Sequence, residues 1–437
     1  MSRYETVVIG AGLAGLTCAR HLRRAGRRVL VLEASDGVGG RVRTDRVEHD
    51  GGTFLLDRGF QVFLDAYPEA AEQLDLSALA LRGFDPGAVI ALGGKLHVVA
   101  DPLRRPIDAA KSVRAPIASM RDVVRLIALH RRLLASADPA DPSGEPNVRD
   151  EPTIDFLRRA GLSERLIDTV LRPFFGGVFF DRELTTSARM MAFCYRMFAT
   201  GRATLPARGM GALSAQIADD LPTGTVRLGQ RVVAIDQHTG RVETLAGDEF
   251  QAERIVLATD AGATDRLLAR EPVRTWRQTT TLSFAADAPP IDRPMLVLDG
   301  AGCGPVNHLA VPSNVQPSYA PRGAALICAN VVVDTPQTDG ELAAAARAQL
   351  VQWFGDEVTR WRLLRVHRIV RALPDQSPPT LEQWSRTSEL DTGVIVCGDH
   401  TENASINGAL VAGRLAAERI IAGVPASSST SSPLNLL

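Results

Sequence analysis

Cysteine is scarce: five residues in 437, scattered at Cys18, Cys194, Cys303, Cys328 and Cys397 with no C-x-x-C pair. That spacing argues against a structural zinc site and against a disulfide framework. Lysine is scarcer still, at Lys95 and Lys111 alone, so arginine carries nearly all the positive charge. The net charge is −1 with no long basic tract, which leaves nucleic-acid binding without electrostatic support. No run approaches 18 apolar residues, and a strand predicted from about Tyr4 leaves no room for a signal peptide. The expectation is a cytoplasmic protein of a reducing compartment, soluble or peripheral at a membrane. What remains is ordinary for a globular chain: 45% hydrophobic, 23% charged, and long enough for two domains with full cores.

Against this background the segment VVIGAGLAGL, residues 7–16, carries three glycines in an apolar run. YETVVI reads as a buried strand. LAGLTCARHLRRAG follows with Leu13, Leu16 and Ala19 at helical spacing and Gly26 as its stop, and RVLVLE reads as a second buried strand. The result is a β-α-β unit with G-x-G-x-x-G at its first turn. Gly10 permits a tight turn, Gly12 lets a pyrophosphate approach the backbone, and Gly15 lets the helix pack on the strand. The N–H groups of Leu13, Ala14 and Gly15 open that helix, where a pyrophosphate meets the positive end of the dipole. Glu33 closes the second strand, placed to accept from a ribose 2′-OH and to repel a 2′-phosphate.

A second signal follows at once. In EASDGVGGRVRT, Gly39, Gly40 and Arg41 form a turn that can bring N–H groups and a guanidinium to the same pyrophosphate. Far downstream, GVIVCGDHTENASINGALVAGRLAAERI reads as a buried strand, then Gly398-Asp399, then a helix starting near Asn407.

With these residues in place the chain resembles the flavin-dependent amine oxidase superfamily. The matches are Gly10/Gly12/Gly15, Glu33, Gly39-Gly40-Arg41, and Gly398-Asp399 with SINGALVAGRLAA. DRGFQV, which holds Gly59, Phe60 and Gln61, looks most like the branch of plant-type carotenoid desaturases and protoporphyrinogen oxidases. The resemblance implies an α/β fold: a discontinuous Rossmann-like FAD-binding domain with an inserted α+β substrate domain. It implies FAD, with Val232 near the adenine and Asp399 at the ribityl or pyrophosphate portion. Ile406, Asn407 and Ala409 would open a helix aimed at the flavin pyrimidine ring, where an N-terminus stabilises the negative charge of the reduced flavin. The FAD domain would comprise 1–75, 205–270 and 388–424, the substrate domain 76–204 and 271–387, with a disordered Ser-rich tail at 425–437.

The remaining segments speak to chemistry less directly. GMGALSAQ contains G-x-G but follows a proline-bearing loop and lacks the third glycine, so it reads as a helix start rather than a nicotinamide site. Reduction by the substrate is therefore expected, with electrons passing to O2 or a quinone. Residues 172–198 hold six of the 14 phenylalanines and three of the seven methionines, and read as helical core with a few members facing a cavity. MRDVVRLIALHRRLLA, residues 120–135, is amphipathic, with Val123, Ile127, His130 and Leu134 on one face. That face suits the protein's own core, or a membrane surface.

Amine oxidases of this superfamily usually carry a lysine late in the substrate domain and a tyrosine before the last helix. Residues 271–387 hold no lysine, and the last helix opens with Ser405-Ile406-Asn407-Gly408-Ala409. No cysteine lies in 374–390, so a covalent flavin link is not expected. The leading expectation is hydride abstraction from a C–H bond of a hydrophobic substrate, a polyene or tetrapyrrole. An amine or amino-acid oxidase and a flavoprotein without a redox role are the alternatives. His308 and His400 are the histidines nearest the flavin-facing segments; each reads first as structural, and His308 is the one candidate for a catalytic group.

Overall fold

A computed structural model of the chain describes residues 2–100, 117–135, 148–271, 275–332, 335–379, 388–390 and 392–423. There are two compact units: Met1–Gly40 with Leu213–Arg274 and Gln383–Leu437, and Arg41–Ala212 with Thr275–Glu382.

In the first unit the strand Ser2–Ile9 lies between Val29–Leu32 and Glu249–Leu257, parallel to both. Val226–Arg227 and Ile395–Val396 extend the parallel sheet on either side. Val232–Asp236 and Arg241–Thr244 add an antiparallel edge. A parallel strand is buried on both faces, which is why these segments read as unbroken apolar runs. Val7, Ile9, Leu30, Leu32, Ile255 and Leu257 form the core, each contributing about 1.5–3 kcal/mol by leaving water. The helix Leu13–Arg24 returns from the first strand and stops before Gly26, whose φ of 77° closes it. The last helix, Ile406–Ala422, packs directly on it. A Cβ on Gly413 would lie 2.2 Å from the Ala14 carbonyl oxygen and 2.9 Å from Thr17 Cβ, so only glycine permits this approach.

The second unit is built on a seven-stranded sheet in the order Arg362–Pro374, Trp276–Ala286, Ala325–Val331, Val306–Ala310, Leu296–Asp299, Gly87–Leu92, Lys95–Ala100. All neighbours are antiparallel except Leu296–Asp299 with Gly87–Leu92. Leu282, Phe284, Ile327, Ala329 and Val331 share one face, which packs on Leu342, Ala346 and Leu350 of the helix Asp339–Phe354. A capping box between Thr338 and Glu341 starts that helix. The alternating residues Thr279, Thr281, Ser283, Cys328, Asn330 and His308 face the other way, and they too are buried. Residues 172–198 form the helices Arg172–Phe179 and Ala188–Thr200, whose Phe175, Phe179, Met190, Met191 and Phe193 are core.

Residues 41–75 and 205–212 pack within the second unit. The reason is long-range pairing: Asp45, on the hairpin of Thr44–His49 and Gly52–Asp57, is held by Arg58 at 2.9 Å and Arg365 at 3.0 Å. The helix Met120–Ala135 is turned by about one residue from its expected face. Asp122, Leu129 and Leu133 are buried, whereas Val124 and Leu134 are exposed. Asp122 sets that rotation, because its carboxylate accepts from the N–H and O–H of both Ser119 and Ser163 at 2.7–2.9 Å. GMGALSAQ opens the helix Gly211–Asp219, as read. The Ser-rich tail lies outside the described residues. No helix among the described residues is long and apolar enough to cross a membrane.

Candidate functional site

In a parallel sheet every carboxyl end reaches the same edge, and ligands bind in the crevice there. At that edge of the first unit Gly10 follows Ile9, Glu33 follows Leu32, Ala258 follows Leu257, and Gly398-Asp399 follow the strand Ile395–Val396. The turns are stitched together: Gly10 N–H donates to Leu32 O at 2.8 Å, Ala258 N–H to Ile9 O at 2.9 Å, and Cys397 N–H to Leu257 O at 3.0 Å.

The three motif glycines occupy three different environments. Gly10 has φ 106°, and a Cβ there would lie 2.7 Å from the Ala258 oxygen. At Gly15 a Cβ would lie 2.0 Å from the Gly10 oxygen, so the helix could not approach its strand. At Gly12 a Cβ would meet nothing within 4 Å. Packing does not require that glycine; its bare face opens onto free space. Beside it Leu13, Ala14 and Gly15 are the first residues of a helix, whose N–H groups have no intrahelical acceptor and attract an anion.

Glu33 has a role its motif position did not reveal. Its Oε2 accepts the Ala11 N–H at 2.7 Å, and its Oε1 accepts the N–H and O–H of Ser35 at 2.9 and 2.7 Å. A carboxylate offers about four acceptor sites, so one remains for a hydroxyl after the glycine loop is braced. Ala11 went unnoticed in the sequence because its contribution is purely backbone; its carbonyl also accepts from Gly39 N–H at 2.8 Å. Gly39 and Gly40, at φ 112° and 58°, thus stack against the first turn, with a Cβ on Gly40 falling 3.5 Å from Gly12 Cα.

The late motif is equally constrained. A Cβ on Gly398 would lie 2.7 Å from the His400 ring, and Asp399 and His400 are both buried, 4.0 Å apart. Ser405 Oγ accepts from Gly408 N–H at 3.0 Å and caps the last helix. Gly408 has no room for a side chain, since a Cβ would lie 1.9 Å from Asn403 O. Asn407 is fully buried, while Ile406 and Ala409 are half-buried on the first turn. Val232 begins the antiparallel edge opposite Thr244 and packs against the core. The bare face of Gly12, the open helix turn and the spare site on Glu33 fit a dinucleotide.

Arg41, Gly59, Phe60, Gln61 and His308 belong to the second unit. Arg41 Nη1 donates to Ala372 O at 2.9 Å and its guanidinium lies 5.7 Å from the Trp276 ring centroid. Gln61 Nε2 donates to Arg41 O at 2.8 Å. Gly59 sits at φ 86°, a conformation that side chains rarely adopt, with Ile369 Cδ1 2.4 Å from where a Cβ would lie. Phe60 N–H donates to Thr281 Oγ1 at 3.0 Å. His308 is buried beside Phe60, and burial pushes its imidazole down to about 4. Asn330, directly opposite His308 across the sheet, was missed; an asparagine inside the apolar run LICANVVV was its signal.

Residues 13–421 match the family described as flavin containing amine oxidoreductase. Phytoene dehydrogenase of Streptomyces griseus is 27% identical over 62% of this chain and 57% of its own length. Putrescine oxidase of Kocuria rosea is 32% identical over 35% of this chain and 30% of its own length. The chain thus spans 30–57% of the length of these two curated relatives. The structure of cyclohexylamine oxidase from Brevibacterium oxydans IH-35A matches with a TM-score of 0.71 at 17% identity, over 96% of this chain and 99% of that one, which shows the shared fold. Because the family match runs over nearly the whole chain, the protein belongs to the flavin-containing amine oxidoreductases.

Proposed function

We propose that the chain binds FAD non-covalently in the first unit and removes hydride from a C–H bond of a hydrophobic organic substrate, leaving a new double bond. The observation that carries the cofactor is the unfilled face of Gly12 at the carboxyl edge of the parallel sheet, beside an uncapped helix turn. When bound, FAD supplies the two-electron oxidation; the protein supplies position and charge. The N–H groups of Leu13, Ala14 and Gly15 and the Gly39-Gly40 turn hold the pyrophosphate. Glu33 takes a ribose hydroxyl, and Asp399 the ribityl chain. The first turn at Ile406–Ala409 stabilises negative charge on the pyrimidine edge. With no cysteine in 374–390, no thiol stands ready there for a covalent link.

The likeness to a phytoene dehydrogenase and the absence of lysine from 271–387 support desaturation of a hydrophobic substrate. Electrons then pass to O2 or a quinone. The likeness to a putrescine oxidase supports a second reading, oxidation of an amine with release of peroxide. The test is anaerobic bleaching of the purified yellow protein with a carotenoid, a porphyrinogen and a panel of amines. Bleaching by the first or second and by no amine supports desaturation; bleaching by amines alone overturns it. Acid precipitation should release the pigment into the supernatant, and pigment retained in the pellet would refute non-covalent binding.

A further inference from the structure

The seven-stranded sheet of the second unit has one apolar face on the helix Asp339–Phe354 and one face that is buried yet polar. On the polar face Thr281 stands opposite Asn330, and Asn330 opposite His308. Each is no more than 5% exposed. A buried donor left without a partner costs about 1–3 kcal/mol, so the destination of each proton matters.

Those destinations follow from neighbours that can play only one part. Phe60 N–H donates to Thr281 Oγ1 at 3.0 Å, which leaves the Thr281 hydroxyl proton for Asn330 Oδ1 at 2.6 Å. The Asn330 amide is thereby oriented: Oδ1 accepts, and Nδ2 is a pair of donors whose one contact among the described residues, the Cys328 carbonyl, lies 3.5 Å away. That is at the far limit of a hydrogen bond. Asn307 is oriented in the same manner. Its Nδ2 donates to the Pro173 carbonyl at 2.7 Å, so the 3.1 Å contact from that nitrogen to His308 Nδ1 is a second donation. Nδ1 therefore accepts, and a neutral imidazole accepting at Nδ1 carries its proton on Nε2. Burial keeps the ring neutral at physiological pH. Packing fixes the ring in place: the Phe60 centroid is 5.7 Å away, and a Cβ on Gly177 would lie 2.7 Å from Nδ1. His308 Nε2 bonds to nothing among the described residues.

Two uncharged donors, on adjacent strands and in register, thus remain with protons unspent. We propose that His308 Nε2–H and Asn330 Nδ2–H together bind one acceptor oxygen of the substrate, a ketone carbonyl or a carboxylate. They would be specificity determinants that favour an oxygen-bearing lipophile over a pure hydrocarbon. The inference rests on the reading that this unit holds the substrate, and it is independent of which bond is oxidised. It also assigns His308 a role other than general base, since Nε2 already carries its proton and Nδ1 is held by Asn307.

The test uses two probes that differ only in CH2 against C=O, diphenylmethane and benzophenone, titrated calorimetrically into the flavin-loaded full-length protein. One neutral hydrogen bond contributes about 0.5–1.5 kcal/mol, so two should give benzophenone at least about a fivefold advantage. His308→Phe and Asn330→Leu should each lower that advantage by the share of one bond, about 2- to 13-fold, while leaving diphenylmethane binding unchanged. His308→Gln, which keeps a donor, should retain most of it. Equal binding of the two probes by the wild type, no binding of benzophenone, or an advantage that survives both substitutions overturns the inference. In protein labelled with 15N-histidine, the His308 signals, identified by their loss in His308→Gln, should show a protonated Nε2 and a bare Nδ1 from pH 6 to 8. A proton on Nδ1, or titration within that range, also overturns it. Neither measurement involves flavin reduction, so failure of the redox reading would register separately as a flavin that no substrate bleaches.

Discussion

Alanine at Gly12 and alanine at Gly15 add the same methyl group three residues apart, and the structure assigns them opposite outcomes. At Gly15 the new carbon would lie 2.0 Å from the Gly10 oxygen and 3.1 Å from Ala258 Cβ. Carbon and oxygen do not approach that closely, so the helix Leu13–Arg24 must back away from its strand by more than an ångström. Overpacking of this kind costs typically 1–3 kcal/mol, and a clash this close with the Gly10 backbone belongs at the top of that range. At roughly 2–4 °C per kcal/mol for a unit of this size, Gly15→Ala should lower the melting temperature of the flavin-free protein by roughly 6–12 °C. At Gly12 the added carbon meets nothing within 4 Å, and the residue sits at φ −73°, which alanine adopts without strain. Lost capping preference and gained backbone stiffness nearly cancel there, so the flavin-free melting temperature should move by less than about 3 °C. The methyl nevertheless enters the space proposed for the pyrophosphate, and FAD affinity should fall at least about tenfold, or 1.4 kcal/mol. Circular dichroism melts of the flavin-free proteins and quenching of FAD fluorescence on titration measure the two effects separately. The reasoning fails if Gly12→Ala melts as early as Gly15→Ala, or if it takes up FAD with wild-type affinity.

Two aspartates should leave opposite marks on the pH dependence of stability. Burial alone would raise Asp122, but the four bonds from Ser119 and Ser163 prevail and hold it down to about 2. Its contribution is therefore present above about pH 4 and lost as pH falls toward 2, and Asp122→Asn should flatten the urea midpoint across that window. Burial pushes Asp57 up to about 6 against hydrogen bonds from Thr44, Met210 and Tyr319. The folded protein then keeps a proton that the unfolded chain releases, so stability should fall as pH rises from about 4 to 6, and Asp57→Asn should remove that slope. Arg277 Nη2 lies 3.1 Å from Asp375 and 3.7 Å from the buried Asp181. Arg277→Met should cost about 1–3 kcal/mol in urea unfolding, below the range for a fully buried pair because Arg277 and Asp375 are each about a quarter exposed and Asp181 keeps donors from Thr185 and Thr186; a loss below about 0.5 kcal/mol would refute this.

The parts of the molecule that could be read from the chain are those whose cause is local. Gly10, Gly12 and Gly15 are read from the turn they occupy, and Glu33 from the strand it closes. SINGALVAGRLAA announces a helix starting near Asn407, within one residue of its observed start at Ile406. Features set by distant partners were not legible. The hairpin Thr44–Asp57 belongs to the second unit because Asp45 meets Arg365, some 320 residues onward. The helix Met120–Ala135 turns toward Leu129 and Leu133 because Ser163 captures Asp122, and no period in the helix itself encodes that bond. His308 could be singled out as a histidine near an expected site. Its proton could not be placed without Asn307, whose own orientation depends on the carbonyl of Pro173.

The close approach of Gly413 to Ala14 has a consequence for the birth of the protein. The helix Leu13–Arg24 is synthesised early, and the partner that covers it follows about 400 residues later. At 5–20 residues per second the wait lasts roughly 20–80 s. Throughout that interval the first strands and their helix are exposed to whatever else will take an apolar surface. A nascent chain of this protein should therefore depend on a chaperone early, and become yellow only after its last helix is free to dock.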